Sequence, residues 1–305
     1  MINKILVPLD GSQLAERALG PAHTLAQHAE GSLILLRAAL PERMFTPDIY
    51  SLGGYSPLWP DQSLEEARRA ADDYLQAIRS RKTLSGPAIR ATVVEGDPAI
   101  SIVEMAAAEH VDLIAMSSHG YSGATLWMLG SVAERVLHDA PCPVLVIRSA
   151  EPIRHILVTL DGSELAEHSL GPAFDTAESL NCKVTLLRAI GPIGRREYDY
   201  LESVEAGMGR RLQDELHEGA ESYLGQIASA HKGRVPDIKS IVAHDSPVHA
   251  ILDYAQRHAV DMTAMSTHGR TGLRRWVYGS VTEKVLRAAN CCSMLVTRSA
   301  PRGPG

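Results

Sequence analysis

The fold of this chain is decided by a stretch that occurs twice. Residues 5–21 have the sequence ILVPLDGSQLAERALGP, and residues 156–172 have the sequence ILVTLDGSELAEHSLGP, with 13 of 17 positions identical. A second segment, residues 116–137, recurs at residues 265–286 and agrees at 12 of 22 positions. A repeat period of roughly 150 residues is too long for a solenoid and indicates a duplicated domain. We therefore predict one domain over residues 1–150 and a second over residues 151–305.

Within each half, short apolar runs alternate with segments whose apolar residues have helical spacing. In the first half this predicts strands over residues 5–9, 32–38, 88–95, 112–117 and 143–148, and helices over residues 13–29, 63–82, 98–110 and 131–138. The second half repeats the order. Near-continuously apolar strands that alternate with helices predict an α/β fold whose parallel sheet is covered on both faces. Ligands of such sheets bind beyond the carboxyl ends of the strands, where the strand order reverses.

Composition excludes several classes of protein. The formal net charge is −6, with 30 Lys and Arg against 36 Asp and Glu, which argues against a nucleic-acid partner. No apolar run approaches the roughly 20 residues of a membrane span, and the first residues, MINKILVPLDGS, predict a strand and turn rather than a signal peptide. The 4 cysteines lack CxxC spacing, so we expect neither a disulfide framework nor a zinc site, and we expect a cytoplasmic location.

The segment after the fourth strand carries the strongest chemical signal. Ser117-Ser118-His119-Gly120 is separated by nine residues from Gly130-Ser131, and Ser266-Thr267-His268-Gly269 is separated by nine residues from Gly279-Ser280. A Gly-Ser pair that opens a helix presents N–H groups and the positive end of the helix dipole, which suits phosphate. Each serine also begins a capping-box pattern, SVAE or SVTE, so it can simply cap its helix. The identical spacing in both halves favours the phosphate site.

The turn after the first strand supplies an aspartate in each half, Asp10 and Asp161. Each either starts the turn or caps the next helix, or faces a ribose hydroxyl or a metal carried by phosphates. His119 and His268 are expected to order their loops, since no acid or nucleophile accompanies them at fixed spacing. The sequence contains no GxxxxGK[ST], GxGxxG or HExxH motif. It therefore indicates a binding site rather than a catalytic one.

These residues resemble the universal stress protein family in its tandem two-domain form. The resemblance rests on VPLDGS, VTLDGS, APCPVLV (residues 140–146) and the Gly-x2-Gly-x9-Gly-Ser element, whose first glycine is replaced here by Ser117 and Ser266. It implies two doubly wound domains, each a five-stranded parallel sheet of order 3-2-1-4-5 with helices on both faces. It further implies pairing of the domains through their last strands, here within one chain or in a homodimer. The implied function is ATP binding, with Mg²⁺ or Mn²⁺, in a stress-response sensor or regulator.

The resemblance also implies which residues hold the nucleotide in each half. Asp10 and Asp161 would face the ribose or the metal. The residues beside adenine would be Pro8, Leu9, Ala38, Thr159, Leu160 and Ala189. The residues around the phosphates would be Ser117, Gly120, Gly130, Ser131, Val132, Ser266, Gly269, Gly279, Ser280 and Val281.

The two halves differ in places that bear on these sites. Gly96-Asp97-Pro98 is replaced by His244-Asp245-Ser246-Pro247, which predicts a second cleft of different shape. The second half also has arginines where the first has none, and these either attract phosphate or form a solvated helix face; they are Arg270, Arg274 and Arg275. The long aromatic-bearing loop over residues 39–62 is either a lid or partner surface, or local packing over the sheet edge.

Two other functional classes remain open from the sequence. In one, the clefts are empty and the protein is an interaction module that works through its surfaces. In the other, it is a slow ATP hydrolase or a transferase of the related adenine-nucleotide α-hydrolase group. The SGGxDS signature of that group is absent, which counts against this alternative.

Overall fold

A computed structural model describes residues 2–39, 61–118, 129–267 and 279–296. The chain divides into two compact units, residues 2–150 and the residues from Glu151 onward. Each unit holds a five-stranded parallel sheet with helices packed against it. The predicted α/β class is therefore confirmed. No helix in the described ranges has the length and apolar character that a membrane crossing requires.

The elements of the first unit follow the predicted alternation. They are β1 (Lys4–Pro8), α1 (Gln13–Glu16), α2 (Leu19–His28), β2 (Ser32–Ala39), α3 (Asp61–Arg79), a 3-10 turn (Lys82–Leu84), β3 (Ala88–Glu95), α4 (Pro98–Ala108), β4 (Leu113–Ser117), α5 (Ser131–Asp139) and β5 (Val144–Ile147). The strand order is β3-β2-β1-β4-β5. This is the order 3-2-1-4-5 that the family resemblance implied.

The second unit repeats this arrangement. Its elements are β6 (His155–Thr159), α6 (Glu164–Glu167), α7 (Leu170–Leu180), β7 (Lys183–Ala189), α8 (Arg195–Val204), α9 (Met208–Ala230), β8 (Ile238–Ala243), α10 (Pro247–Arg257), β9 (Met262–Ser266), α11 (Ser280–Ala288) and β10 (Cys292–Val296). The strand order is β8-β7-β6-β9-β10. The duplication seen in the sequence is thus a duplication of topology.

The helices cover both faces of each sheet. After β1 the chain forms β2 and β3 on one side of β1 and then crosses to form β4 and β5 on the other side. Because crossovers between parallel strands are almost always right-handed, this reversal places helices on both faces of the sheet. Accordingly α2 packs on β1 and β2, α3 packs on β2 and β3, and α4 and α5 pack against each other. Every residue of β5 is buried, as the near-continuously apolar strand sequence predicts. The switch in direction lies between β1 and β4, where a doubly wound sheet opens a crevice.

The helix predicted over residues 13–29 is instead two helices. The first, α1, ends at Glu16 and α2 begins at Leu19, joined by a tighter turn in which Ala18 N–H donates to the Ala15 carbonyl at 3.1 Å. Pro21 explains the break, because proline has no N–H to donate to Arg17 and crowds the carbonyl four residues before it. The second unit breaks in the same way before Pro172, between α6 and α7.

Candidate functional site

Hydrogen bonds extend the sheet pairing past the ends of the central strands. Leu9 N–H donates to the Leu36 carbonyl at 2.8 Å, and Ser118 N–H donates to the Ile147 carbonyl at 3.3 Å. The corresponding bonds of the second unit are Leu160 to Leu187 at 2.9 Å and Thr267 to Val296 at 3.0 Å. The carboxyl end of β1 is therefore bonded to β2 and that of β4 to β5, whereas the pairing of β1 with β4 ends at Leu6 and Ile114. The residues that follow β1 and β4 thus start from fixed positions on the two sides of the crevice.

The aspartate after the first strand starts a turn. Asp10 Oδ1 accepts the N–H of Ser12 at 2.8 Å, and the Ser12 hydroxyl in turn accepts Ala15 N–H at 3.1 Å, which makes Ser12 the N-cap of α1. In the second unit Asp161 accepts the N–H of Ser163 at 2.9 Å and its hydroxyl at 2.6 Å. The alternative that aspartate starts the turn is confirmed. A contact of Asp10 or Asp161 with ribose or metal stays a prediction.

An arginine that the sequence reasoning did not single out lies against this turn. Gly11 has φ of +92°, and a Cβ built there would lie 3.0 Å from Nη2 of Arg37. The Arg37 guanidinium in turn lies over the ring of Tyr74, 4.5 Å from its centroid. The second unit repeats the cluster with Gly162, Arg188 and Tyr223. The available signal was the arginine that both halves place in the LLRA stretch at the end of the second strand.

Hydrogen bonds of the same cluster connect α1 to α3. The Tyr74 hydroxyl donates to Glu16 Oε1 at 3.0 Å, and Arg81 Nη1 lies 2.7 Å from Glu16 Oε2. The hydrogen bond from Arg81 holds the pKa of Glu16 below its ordinary value. Burial, together with the bond to Glu16, raises the pKa of the Tyr74 hydroxyl, which therefore stays protonated and donating. The turn that carries Asp10 is thus held from its helical side as well.

The segment before α5 is fixed by one backbone hydrogen bond that both units share. Gly130 N–H donates to the Ser118 carbonyl at 2.8 Å, and Gly279 N–H donates to the Thr267 carbonyl at 2.7 Å. Gly130 has φ −65° and ψ 147° and is the N-cap of α5, so Ser131 is the first helical residue. The N–H groups of a first helical turn have no partner within the helix. The bond therefore sets the start of α5, with those groups, at the end of β4.

The capping-box alternative for Ser131 and Ser280 is wrong. In a capping box the serine is the N-cap, but here Gly130 and Gly279 occupy that position, and neither cap has a side-chain hydrogen bond. The serines lie one residue inside the helix with exposed side chains. The helix starts one residue earlier because its N-cap is set by the backbone bond to the preceding strand. The serine hydroxyls are consequently not engaged in capping.

The structure brings part of the predicted site together. In each unit the predicted residues that the structure describes lie on or directly after the first strand, on the second and fourth strands, or at the start of α5 or α11. Ala38 and Ala189 follow the arginines of the clusters above, so they face the opposite side of the sheet. Several predicted residues lie outside the described ranges, namely His119, Gly120, His268, Gly269, Arg270, Arg274, Arg275 and most of the loop over residues 39–62.

The border of the crevice differs between the units. Asp97 caps α4 by accepting Ile100 N–H at 3.0 Å, and its carboxylate pairs with Arg135 of α5 at 2.6 Å. Burial alone would raise the pKa of Asp97, but the Arg135 hydrogen bond and the bond from Ile100 outweigh it and hold the pKa below its ordinary value. The second unit has Ser246 at the cap, with no side-chain capping bond, and Lys284 in place of the arginine. The described residues thus contain a bridge between these helices in the first unit and none at the equivalent positions of the second.

Together, the duplicated sheet and its repeated strand-end clusters define a tandem, doubly wound α/β protein. The model of the universal stress protein family matches residues 1–148 and 152–298. The chain belongs to the universal stress protein family.

Similar proteins include one of about the length of this chain and one of about half its length. A universal stress protein of Mycobacterium tuberculosis (strain H37Rv) is 24% identical over 300 residues, which cover 93% of each chain. A universal stress protein of Bacillus subtilis is 29% identical over 148 residues, which are 48% of this chain and 100% of that protein. Among solved structures, a universal stress protein from Archaeoglobus fulgidus has a TM-score of 0.69 at 20% identity and covers 98% of this chain and 99% of that chain. The last likeness concerns the fold alone.

Proposed function

We propose that both units bind ATP at the carboxyl edge of their sheets and that the protein acts as a cytoplasmic sensor or regulator in stress response. The observation that carries the proposal is the shared backbone bond from Gly130 to Ser118 and from Gly279 to Thr267. This bond places a helix N-terminus beside the crevice in both units, and such termini favour phosphate. Membership of the universal stress protein family supports the same assignment.

In the proposed complex, the phosphates lie against the first turn of α5. The N–H groups of Ser131 and Val132 and the exposed Ser131 hydroxyl would donate to phosphate oxygens. In the second unit the donors would be Ser280 and Val281. Because the chain has a formal net charge of −6, phosphate affinity here would come from backbone N–H groups and helix ends rather than from overall charge.

The nucleoside would lie across the ends of β1 and β2. The Asp10 carboxylate is proposed to accept from the ribose hydroxyls, with Leu9 and Ala38 beside the adenine. Asp161, Leu160 and Ala189 would have these roles in the second unit. Mg²⁺ or Mn²⁺ would enter with the phosphates and take carboxylate oxygen from the same aspartates, since hard cations prefer oxygen ligands. The proposal includes no catalytic step, and we expect turnover no faster than slow hydrolysis.

The first test is chemical identification of any nucleotide that purifies with the protein. Denaturing the purified chain and examining the supernatant by mass spectrometry is expected to yield an adenine nucleotide. After its removal, calorimetric titration with ATP is expected to show binding. No released nucleotide together with no heat of ATP binding would refute the proposal and favour the interaction module.

The second test fills the proposed phosphate space. The backbone of Gly130 and Gly279 lies in a region open to any L-residue, so Gly130→Val with Gly279→Val adds bulk without backbone strain. Losing one or two charge-assisted hydrogen bonds would weaken ATP binding by about tenfold or more. The matched control is Gly171→Val, an exposed helical glycine whose Cβ position has no atom within 4 Å. Unchanged affinity in the double variant would place the phosphates elsewhere.

A further inference from the structure

Two histidines of the second unit meet at the carboxyl end of β8. His244 is the residue after the strand ends at Ala243, and His217 lies on α9. Nε2 of His244 is 2.9 Å from Nδ1 of His217, and the ring planes are within 21° of parallel with centroids 4.9 Å apart. One nitrogen of each ring therefore points at a nitrogen of the other. His244 is exposed, so solvent reaches the pair.

The first unit has an ordinary ion pair at the same two positions. With Pro247 aligned on Pro98, His244 corresponds to Glu95, and the same offset places His217 on Arg68. Arg68 Nη1 lies 3.4 Å from Glu95 Oε1 and joins α3 to the end of β3. Two oppositely charged groups in one unit are thus replaced by two imidazoles in the other. The imidazoles bring the capacity to bind metal, which neither arginine nor that ion pair has.

A carboxylate on α9 lies close to the first of these rings. Nε2 of His217 lies 3.3 Å from Oε1 of Glu221, four residues further along the helix. An ionised carboxylate only accepts hydrogen bonds, so it favours the proton on Nε2 and leaves the lone pair on Nδ1, the atom that faces His244. Metal-binding histidines commonly make such a contact with a carboxylate through their other nitrogen. Glu221 therefore prepares His217 to act as a ligand through Nδ1.

We infer that His217 and His244 form a binding site for a divalent transition-metal ion of the zinc, copper or nickel class. Imidazole nitrogen suits these ions, whereas Mg²⁺ and Ca²⁺ prefer oxygen. Two nitrogens at roughly 2.0–2.1 Å from a tetrahedral metal lie about 3.3 Å apart, so the 2.9 Å separation must open by about 0.4 Å. Rotation of the exposed His244 side chain supplies this movement, and its proton moves to Nδ1 or to solvent.

Water completes the coordination. In the described parts of the chain, no group of three or more His, Cys, Asp or Glu side chains is arranged around one metal position. Asp245, the residue after His244, is already engaged, because its Oδ2 contacts His249 Nδ1 at 2.5 Å and its Oδ1 accepts Ser246 N–H at 2.6 Å. Two protein ligands and solvent make an exchangeable site rather than a structural one. It uses none of the residues that are proposed to bind the nucleotide.

The test compares Zn²⁺ binding by the natural chain and by a variant that carries the ion pair of the first unit. Metal-free, nucleotide-free protein is titrated with ZnCl₂ by calorimetry, and the variant is His217→Arg with His244→Glu. Because the same pair is already accommodated in the first unit, we expect this variant to fold, with an unchanged circular dichroism melting curve. The natural chain is expected to bind one more Zn²⁺ than the variant. Equal stoichiometry and affinity would overturn the inference.

Two single variants separate this site from the other histidines of the chain, which number 13 in all. His249→Gln removes an exposed histidine of the neighbouring pair and is expected to leave Zn²⁺ binding unchanged. Glu221→Ala keeps both ligands but removes the orienting carboxylate, and is expected to weaken Zn²⁺ binding by about tenfold. Loss of the ion in His249→Gln, or unchanged affinity in Glu221→Ala, would contradict the assigned ligands and their orientation.

Discussion

Replacement of Gly31 by alanine should destabilise the first unit because a methyl group there meets backbone rather than space. Gly31 lies between α2 and β2, and a Cβ built on it would be 2.2 Å from the carbonyl oxygen of Asn3 and 2.9 Å from its carbonyl carbon. The Asn3 backbone is held on both sides, since its oxygen accepts Ser32 N–H at 2.7 Å and its N–H donates to Asp112 Oδ2 at 3.0 Å. The overlap is therefore relieved only by moving a bonded chain segment.

The expected cost follows from opposing effects. Overpacking of a well-packed site costs about 1–3 kcal/mol. Alanine also lowers the conformational entropy of the unfolded chain, which stabilises the folded state by about 0.4–1 kcal/mol. We expect Gly31→Ala to lower the free energy of unfolding of the first unit by about 1–2 kcal/mol, measured by urea denaturation. The matched control is Gly20→Ala in α2, where no atom lies within 4 Å of the Cβ position, and it should stabilise by about 0.5–1 kcal/mol.

The second unit shows how such a side chain is accommodated. Cys182 occupies the position of Gly31, with its Sγ donating to the Ile153 carbonyl at 3.0 Å. The equivalent backbone bond, from Lys183 N–H to the Arg154 carbonyl, is 3.1 Å against 2.7 Å in the first unit. In the second unit the side chain is thus accommodated beside a longer backbone hydrogen bond. We therefore expect the cost of Gly31→Ala to lie toward the lower end of the overpacking range. If Gly31→Ala is as stable as the natural chain, the backbone relaxes without cost and glycine is not required at this position.

Two further predictions concern the strand-end clusters. Glu16→Gln should lower the free energy of unfolding by about 0.5–1 kcal/mol near pH 7, because Arg81 lowers the pKa of Glu16. The contribution of Glu16 is present above the ordinary glutamate pKa and disappears as pH falls through the lowered value, which denaturation at several pH values measures. Glu167→Gln, whose carboxylate pairs with a tyrosine hydroxyl, should lose less. Gly11→Ala and Gly86→Ala, at φ of +92° and +117°, should each cost about 1–3 kcal/mol in stability. Only Gly11→Ala should weaken ATP binding in calorimetry, because Gly86 precedes β3 and lies away from the carboxyl edge of the sheet. Equal weakening by both would contradict the role of the Asp10 turn.

The topology was predictable because it depends on patterns that a single sequence displays. Apolar runs and their helical spacers recur in both halves, so the strand alternation needs no tertiary information. The division of the predicted helix over residues 13–29 was missed, although Pro21 and Pro172 were visible. Proline is tolerated in the first turn of a helix but not further inside, so its effect depends on where the helix starts. That start is set by packing and by the cap at Ser12, not by periodicity.

The candidate site was predictable only where its residues recur in a recognisable motif. Gly130-Ser131 and Asp10 were found in this way, but the N-cap was misassigned because its position depends on a hydrogen bond to Ser118, 12 residues earlier in the chain. The sequence does not single out Arg37, because an arginine at the end of an apolar strand is typical of a solvent-exposed position. Its role is visible only once β2 places its guanidinium between Gly11 and the ring of Tyr74.

The distribution of differences between the two units has a physical basis. The contacts that both units keep are backbone hydrogen bonds at the strand ends and the partly buried arginine–tyrosine clusters, on which the crevice geometry depends. Some contacts that differ are side-chain pairs with at least one exposed partner, such as Asp97 with Arg135, which among the described residues is found in the first unit, and Arg68 with Glu95, replaced by His217 with His244. Exposed pairs contribute little to stability, so they can be exchanged without loss of the fold. After duplication, exposed side chains at the edge of each sheet can therefore change without loss of the fold. The His217–His244 pair is such a change in the second unit, and it brings the metal-binding capacity that we infer.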